Sequence, residues 1–432
     1  MAEWIWIGRR ARRCYGFDEI ALVPGNVTVN PTEVDTGWEI GASTRPDGLA
    51  RHSAPRDVPA GLHGLKFKVP FIASAMDGVV DVEFAIAMGK LGALAVLNLD
   101  GVQARYDDPS EAIAQIIQGD VEETTNIVQK LYKAPINEKL IAKRVEQIKA
   151  ANVPCAVSTI PQNAERFGAI AQEAGADIFV VQSTVTTVKH IAKAYKPLDF
   201  TKFTKAMKIP VIIGNCVTYD QSLELMDAGA DALLVGVGPG AACTTRGVLG
   251  VGVPQVTATV DCASARDFHH KKTGRYVPII TDGGMRNGGD ICKAFACGSD
   301  AVMVGSAFAK AKEAPGRGYH WGMAYPHSSL PRGTRIYVGT TGTLEQILFG
   351  PALTDDGSQN LMGAVTTCMG TVGASTIKEF QMAEIIIAPS IQTEGKSFQQ
   401  VQRVGMARKG ASEAPSNHQP KSQTRRLTRS AA

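Results

Sequence analysis

Short apolar runs recur through the middle of the chain, and most are followed by a polar or glycine-bearing turn and a longer segment with helical periodicity. This alternation predicts repeated strand–helix units. The runs are continuously apolar rather than alternating, which is typical of parallel strands buried on both faces. There are eight of them: VPFIASAM from Val69, ALAVLNL from Ala93, CAVSTI from Cys155, IFVVQS from Ile178, PVIIGN from Pro210, ALLVGVG from Ala232, VPIITDGG from Val277 and AVMVGSAF from Ala301.

Repetition of this strand–helix unit predicts an α/β protein built as a closed (β/α)₈ barrel, with an open doubly wound sheet as the alternative. We expect residues 1–407 to form this single barrel domain, with the segment before the first strand capping its bottom or side. Residues 100–153, between the second and third runs, show helical patterns and are too few to hold a further pair of domains. Because active sites of such barrels lie at the C-terminal ends of the strands, the residues that end each run are the candidate site residues.

The composition is that of a globular protein, with 432 residues of which 44% are hydrophobic and 20% charged. No run of about 18 uncharged apolar residues is present, which argues against a membrane span. The apolar residues at the start precede the basic ones, the reverse of a secretory signal, so a cytoplasmic protein is expected. The eight cysteines show no C-x-x-C pair and no Cys/His ligand spacing, so neither a zinc site nor a disulfide framework is predicted.

The charge balance gives little reason to expect a nucleic-acid partner. The net charge is only +4, and residues 408–432 carry six Lys or Arg against one Glu. This tail is rich in Ser, Pro, Gln and Arg and has almost nothing to bury, so we expect it to be disordered and solvated. A basic arm that binds RNA or an acidic partner is the alternative interpretation of the tail.

The most specific stretch is VGVGPGAACTTRG at residues 235–247, where a buried strand runs into a glycine-rich loop and then a cysteine. Cys243 would emerge from this loop at the catalytic face. Amides, a helix start or a nearby cation such as Arg246 lower the pKa of a thiol, so we interpret Cys243 as a nucleophile. Three glycines are expected to take positive φ and to turn the amides and carbonyls of the loop toward a ligand: Gly236, Gly238 and Gly240.

A second stretch predicts a phosphate site. TDGGMRNGGD begins at Thr281, and Gly305–Ser306 ends the eighth run. Gly283 and Gly284 should expose backbone amides beside those of Gly305–Ser306, which is the recurrent phosphate cradle of such barrels. Asp282 is placed to accept hydrogen bonds from a ribose diol. An ordinary Asp-Gly-Gly turn is the alternative.

Taken together, these stretches resemble the IMP dehydrogenase/GMP reductase family over residues 15–406. The resemblance implies a purine nucleoside monophosphate as substrate, a nicotinamide cofactor, and assembly into a homotetramer or homo-octamer. The further matching segments are YGFDEIALVPG near Tyr15, SAMD from Ser74, GN from Gly214, EAPG from Glu313 and GM from Gly322.

The roles of the family's site residues carry over to matching positions. Cys243 would attack C2 of the purine, while Thr245 and Glu313 would handle the protons of the water or ammonia. The phosphate, ribose and base of the substrate would be held by Ser74, Met76, Asp282, Gly284, Gly305, Ser306 and Met323. The cofactor would be bound by Gln182, Ser183, Thr184 and Asn215. A monovalent cation such as K⁺ would be held by the backbone carbonyls of Gly238, Gly240 and Cys243.

Three departures from the family pattern matter for function. Residues 100–153 cannot contain the regulatory CBS domains that full-length dehydrogenases of the family insert at this position. The family's flap is shortened to residues 324–333, which contain no adjacent Arg-Tyr pair to activate water. The aspartate that ends the fourth strand and binds the cofactor ribose is Gln182 in this chain. These differences resemble a shorter, CBS-free, dehydrogenase-like branch of the family.

Two family reactions fit these residues. IMP dehydrogenase oxidises IMP to XMP with NAD in guanine nucleotide biosynthesis, and the resemblance to the dehydrogenase-like branch favours it. GMP reductase converts GMP to IMP and ammonia with NADPH, and the missing Arg-Tyr pair favours it. A non-catalytic purine nucleotide-binding partner would have no need to retain Cys243, Thr245 and Glu313 together. We therefore predict an IMP dehydrogenase, with GMP reductase as the alternative.

Overall fold

Eight parallel strands close into a barrel in the computed structural model, which describes residues 2–6, 9–41, 64–322, 334–389, 396–402 and 404–405. Each strand coincides with one of the apolar runs, each pairs with its neighbours in chain order, and the last pairs with the first. The predicted (β/α)₈ barrel is therefore confirmed. The strands are β1 Phe71–Ala73, β2 Leu94–Asn98, β3 Ala156–Thr159, β4 Ile178–Gln182, β5 Val211–Cys216, β6 Ala232–Val235, β7 Ile279–Asp282 and β8 Ala301–Val304.

Three sequence predictions concern residues outside this description. They are the base contact of Met323, the shortened flap at residues 324–333 and the disordered tail at residues 408–432. The extent of the domain, residues 1–407, also stays a prediction. Within the described part of the chain, no helix is both long and apolar enough to cross a membrane.

The barrel interior is filled by apolar side chains, so the barrel is a packed core rather than a pore. A hairpin of Trp38–Ile40 and Leu65–Phe67 packs on this core from the N-terminal end of the strands, and the Trp38 indole nitrogen donates to the carbonyl of Val69 at 3.3 Å. The opening segment thus caps the bottom of the barrel, as expected, and the other end is left for a ligand. The interior residues of the strands are Ile72, Leu94, Val96, Ala156, Ile178, Val180, Ile212, Ala232, Leu234, Ile280, Ala301 and Met303.

Helices cover the outside of the barrel, and several begin at a polar side chain that accepts from a backbone amide of the first turn. Asp81 accepts from the amide of Phe84 at 2.8 Å, and Asn287 from that of Asp290 at 3.0 Å. The helices are α1 Val82–Lys90, α2 Ser110–Gln118, α3 Thr124–Leu131, α4 Glu138–Ala150, α5 Ala164–Glu173, α6 Phe200–Ala206, α7 Tyr219–Asp227, α8 Thr245–Leu249, α9 Gln255–Thr273, α10 Gly288–Ala296, α11 Ser306–Ala309, α12 Leu344–Phe349, α13 Leu361–Val372, α14 Ile377–Phe380 and α15 Ser397–Gln402.

Connections outside the barrel bring further elements to its two ends. Helices α2, α3 and α4 occupy the link between β2 and β3. Strand Tyr319–Trp321 pairs antiparallel with Arg335–Tyr337, and residues of both line the cavity at the C-terminal end of the barrel. Strand Ile20–Leu22 pairs with Ile385–Ile387 on the outside, which ties the two ends of the described fold together.

A buried ion pair joins the start of β8 to α9. Asp300 Oδ2 and Arg266 Nη1 lie 3.1 Å apart, with side chains only 5% and 4% exposed. Asp300 also accepts from the Ile279 amide and the Tyr276 hydroxyl, each at 2.8 Å. Burial raises the pKa of Asp300, but the charges of Lys378 and Arg266 outweigh burial and lower the pKa to about 2. The stabilisation from Asp300 is therefore present at neutral pH and is lost as the pH falls toward that value.

We expect Asp300→Ala to lower the free energy of unfolding by about 3–5 kcal/mol, because the Arg266 charge is then buried without this partner. The matched control is Asp267→Ala, whose carboxylate lies 2.9 Å from Arg266 Nε but is 56% exposed, so a loss below about 1 kcal/mol is expected. Urea unfolding at neutral pH measures both losses. Equal losses for the two variants would contradict this account of the pair.

Candidate active site

A cavity of about 910 Å³ opens at the C-terminal end of the barrel strands. This is the end where barrels of this kind carry their active sites. The structure brings most of the residues predicted from the sequence to its wall: Ser74, Met76, Gln182, Ser183, Thr184, Asn215, Gly238, Gly240, Cys243, Asp282, Gly284, Gly305 and Ser306.

Cys243 stands at the cavity in the loop between β6 and α8, paired with a buried hydroxyl. Its Sγ lies 3.2 Å from Oγ1 of Thr245, whose residue is 1% exposed. The Cys243 amide donates to the Gly240 carbonyl at 3.0 Å and closes a tight turn. The half-buried Cys243 thiol lines the cavity, whereas Thr245 is not among the lining residues. A thiol at a cavity wall is accessible to an electrophilic carbon of a ligand.

Two glycines in the loop before Cys243 adopt backbone conformations that other residues rarely take. Gly236 and Gly238 take φ of +151° and +76°, and a Cβ at Gly238 would lie 2.6 Å from Cγ of Arg246. Gly240 does not have positive φ, and a Cβ there would meet nothing within 4 Å. The prediction that all three glycines need positive φ is therefore wrong for Gly240.

The Arg246 side chain bonds to backbone carbonyls before and after the loop that carries Cys243. Its Nε donates to the Val237 carbonyl at 3.3 Å and its Nη2 to the Val253 carbonyl at 2.6 Å. Burial lowers the pKa of Arg246, and Cys243 acts in the opposite direction. The Arg246 side chain thus ties the segment before Cys243 to the segment after α8.

Gln255 was not identified from the sequence, yet it joins the ends of two strands beneath the loop. It is buried at the start of α9, and its Nε2 donates to the Val235 carbonyl at 2.6 Å and to the Asp282 carbonyl at 3.2 Å. No motif surrounds this residue. Its role follows from the direction of α9 relative to β6 and β7, which a sequence pattern does not show.

Three polar side chains from different strands form a network on the cavity wall. Asp282 Oδ2 accepts from the amide group of Asn215 at 2.7 Å and from that of Gln182 at 3.2 Å. Gln182 also donates to Asn215 Oδ1 at 3.1 Å. Burial raises the pKa of Asp282 to about 6, and the bond from Asn215 opposes this. Both bonds engage Oδ2, so Oδ1 retains capacity to accept from a ligand hydroxyl.

Both segments predicted to form the phosphate cradle line the cavity, but one of their amides is already bonded within the protein. The Gly283 amide donates to the Met303 carbonyl of β8 at 3.1 Å, so it does not point to a ligand as predicted. Gly284 has a φ of +82°. At Gly305 a Cβ would lie 3.0 Å from Sδ of Met76, so a side chain there would crowd the cavity wall.

Other cavity residues were missed by sequence reasoning: His320, Lys310 and Tyr337. His320 Nε2 lies 3.1 Å from Ser306 Oγ, beside the cradle. Both His320 and Tyr337 belong to the short hairpin outside the barrel, and Lys310 follows α11. None of the eight apolar runs ends at these residues, so the rule that located the other candidates does not reach them.

Glu313 is not brought together with Cys243 and Thr245. Its side chain is exposed and absent from the cavity wall, and its Oε2 accepts from the Leu344 amide at 2.8 Å. Leu344 is the first residue of α12, where a negative charge is favourable. The predicted proton-relay role of Glu313 is therefore corrected to a contact that stabilises a helix start.

The remaining predicted ligand groups are partly used within the protein. Ser183 Oγ donates to the Val185 carbonyl at 2.9 Å, while Gln182 and Thr184 stay at the wall. The Gly240 carbonyl, one of the three predicted for a monovalent cation, already accepts from Cys243. Among the described side chains no group of three His, Cys, Asp or Glu could hold a metal ion. The carbonyl site for K⁺ stays a prediction.

Comparisons with known proteins agree on the family and the fold. Residues 14–398 match the model of the IMP dehydrogenase / GMP reductase domain. The chain is 36% identical to an uncharacterized oxidoreductase of Mycolicibacterium smegmatis, over 89% of this chain and 99% of that one. It is 27% identical to inosine-5′-monophosphate dehydrogenase of Methanocaldococcus jannaschii, over 89% and 95% of the two chains.

A solved structure gives the same answer. The crystal structure of an IMP dehydrogenase/GMP reductase-like protein from Corynebacterium glutamicum superposes with a TM-score of 0.80 at 35% identity, covering 89% of this chain and 97% of that one. The agreement therefore extends from the motifs to the whole barrel. This chain belongs to the IMP dehydrogenase/GMP reductase family.

Proposed function

We propose that this oxidoreductase is an IMP dehydrogenase, which oxidises IMP to XMP with NAD through a covalent bond between Cys243 and C2 of the purine. The observation that carries the proposal is that Cys243 lines the same cavity as Asp282 and Gly305–Ser306, with its Sγ 3.2 Å from the buried Oγ1 of Thr245. A nucleoside monophosphate has a phosphate, a diol and an electrophilic carbon, and the cavity offers a matching group for each.

The chain's own residues account for both halves of the reaction. The Cys243 thiolate adds to C2 and forms the S–C bond, so that C2 can then lose its hydrogen as hydride. Water next attacks the thioimidate, the S–C bond breaks, and XMP leaves with the thiol restored. The Thr245 hydroxyl, buried beside Sγ, is placed to pass a proton between water and the leaving sulfur. The balance is IMP, NAD⁺ and water giving XMP, NADH and a proton.

A nicotinamide cofactor fits the remaining part of the cavity. The wall continues from Gln182 and Thr184 to Thr159 on β3 and Asn98 on β2. Asn98 is 6% exposed, and its amide nitrogen has no hydrogen-bond partner among the described residues. An orphaned buried donor of this kind favours a polar ligand. When bound, NAD accepts the hydride from C2.

The named relatives support the direction of the reaction. Relatives from Methanocaldococcus jannaschii, Cryptosporidium parvum and Borreliella burgdorferi are named inosine-5′-monophosphate dehydrogenases. GMP reductase is the second candidate, because no adjacent Arg-Tyr pair stands at residues 324–333. Arg335, the next arginine, donates to the carbonyls of Ile116 and Ile117 at 2.5 and 2.7 Å, so its guanidinium is already engaged away from the cavity.

Two assays of the same purified protein distinguish these reactions. With IMP and NAD, we expect absorbance at 340 nm to rise as NADH forms. With GMP and NADPH, we expect no fall above the rate without enzyme. A fall with GMP and NADPH, and no NADH from IMP, would replace the dehydrogenase with the reductase.

We expect Cys243→Ala to reduce kcat to below about a hundredth of the wild-type value, because a covalent mechanism has no substitute nucleophile. Binding of IMP and the melting temperature should be nearly unchanged, since the side chain is only half buried. The matched control is Cys14→Ala, which removes a thiol of similar exposure outside the cavity. Substantial turnover by the Cys243 variant would refute the nucleophile.

Thr245→Val keeps the shape of the side chain and removes the hydroxyl beside Sγ, so it should slow hydrolysis of the adduct more than hydride transfer. We expect a rapid burst of NADH followed by turnover that is slower by about a hundredfold or more. Stopped-flow absorbance separates the phases, and Thr245→Ser, which keeps the hydroxyl, should restore steady turnover. A variant without a burst would place Thr245 in binding or folding instead.

A further inference from the structure

His320 stands at the phosphate end of the cavity with unused capacity to bind a proton. The residue is 2% exposed and belongs to the cavity wall. Its Nε2 lies 3.1 Å from Ser306 Oγ, while its Nδ1 is buried with no hydrogen-bond partner among the described residues. The ring therefore has a second nitrogen that can take up a proton, and no carboxylate of the described residues hydrogen-bonds to it.

The elements packed around His320 supply no hydrogen-bonded carboxylate to the ring. Asp77, in the loop after β1, is directed to Tyr132, with Oδ2 2.5 Å from its hydroxyl. Arg335, on the paired strand, is bound to the carbonyls described above. The charged or titratable side chains on these elements are Asp77, Lys310, Tyr319, Arg335 and Tyr337. Burial lowers the pKa of His320 to about 4, so the ring is neutral at physiological pH.

We propose that His320 is a phosphate-binding residue of the nucleotide site and that it takes up a proton when the phosphate binds beside Ser306. The inference rests on the proposed function, because it needs a nucleotide whose phosphate lies at Gly305–Ser306. A phosphate monoester carries close to two negative charges at neutral pH. Such a charge near the ring stabilises imidazolium and raises the pKa of the histidine, whereas the charge of Lys310, which lines the same cavity, acts in the opposite direction.

The sign of the pH effect follows from this coupling. Binding takes up a proton in the pH range between the pKa of the free site and the higher pKa of the liganded site. The affinity for nucleotide therefore increases as the pH falls through the pKa that His320 has in the complex. Above that pKa, His320 no longer contributes to the affinity. Protonation of the phosphate itself, with a pKa of about 6, opposes the effect, so the comparison must be made against a variant that cannot titrate.

The test measures proton uptake on binding of IMP and of GMP by calorimetry at about pH 6 in two buffers of different ionisation enthalpy. His320→Gln keeps a group that can bond to Ser306 but cannot take up a proton, and His320→Asn is the second variant if the first unfolds. We expect the wild type to take up more protons per nucleotide than the variant. Its KM for IMP should fall by about two- to tenfold relative to the variant between about pH 8 and pH 6, with kcat little changed.

Inosine, which lacks the phosphate, is the matched ligand and should show equal uptake in wild type and variant. Equal uptake of protons with IMP in both proteins would overturn the role of His320, while NADH formation from IMP would leave the proposed function intact. In the opposite result, the wild type would take up more protons than the variant on binding GMP but would form no NADH from IMP. This result would support His320 and remove the dehydrogenase function.

Discussion

The close approach of the loop after β6 to the end of β7 is the constraint on which the site depends. At Gly236 a Cβ would lie 2.4 Å from the Asp282 carbonyl oxygen and 2.8 Å from Nε2 of Gln255. No side chain fits that space, so only glycine lets the main chain turn back across the barrel mouth. The turn carries Cys243 to the cavity wall, on the side where Asp282 also stands. Gln255 fixes the same junction by bonding to the carbonyls of both strands.

Burial shifts the pKa of two titratable groups in the cavity. The pKa of Asp282 is raised to about 6 and that of His320 is lowered to about 4, with burial the first cause in each case. Burial therefore disfavours the charged forms of both groups. A ligand that brings hydroxyls to one and a phosphate to the other restores the interactions that burial removed. A nucleoside monophosphate carries both groups, the ribose hydroxyls and the phosphate.

The parts of the molecule that the sequence predicts are those that local patterns determine. Cys243, Asp282 and Ser306 end or follow buried apolar runs, and parallel strands of a barrel bring such positions to one face. The fold and this part of the site follow from local patterns. Glu313 was assigned to the site from a motif alone, and its carboxylate instead reaches the first turn of α12. Nothing in the local pattern gives the direction of the chain after α11.

Other details depend on partners that are distant in the sequence. His320 reaches the cavity because a hairpin outside the barrel folds over the mouth, and Gln255 because of the angle at which α9 passes two strands. The Gly283 amide is occupied because the register of β7 and β8 pairs Asp282 with Met303, so the next amide donates to the Met303 carbonyl. A pattern of apolar and polar residues identifies elements, but it does not give the register and crossing that decide these contacts.

The most direct test of the central claim is detection of the bond between the nucleotide and the protein. Protein quenched in acid during turnover with IMP and NAD, then digested and examined by mass spectrometry, should carry the purine nucleotide on the peptide that contains Cys243. The other cysteines should be unmodified. Formation of XMP and NADH with Cys243 never labelled, or with the nucleotide on a different residue, would contradict the account.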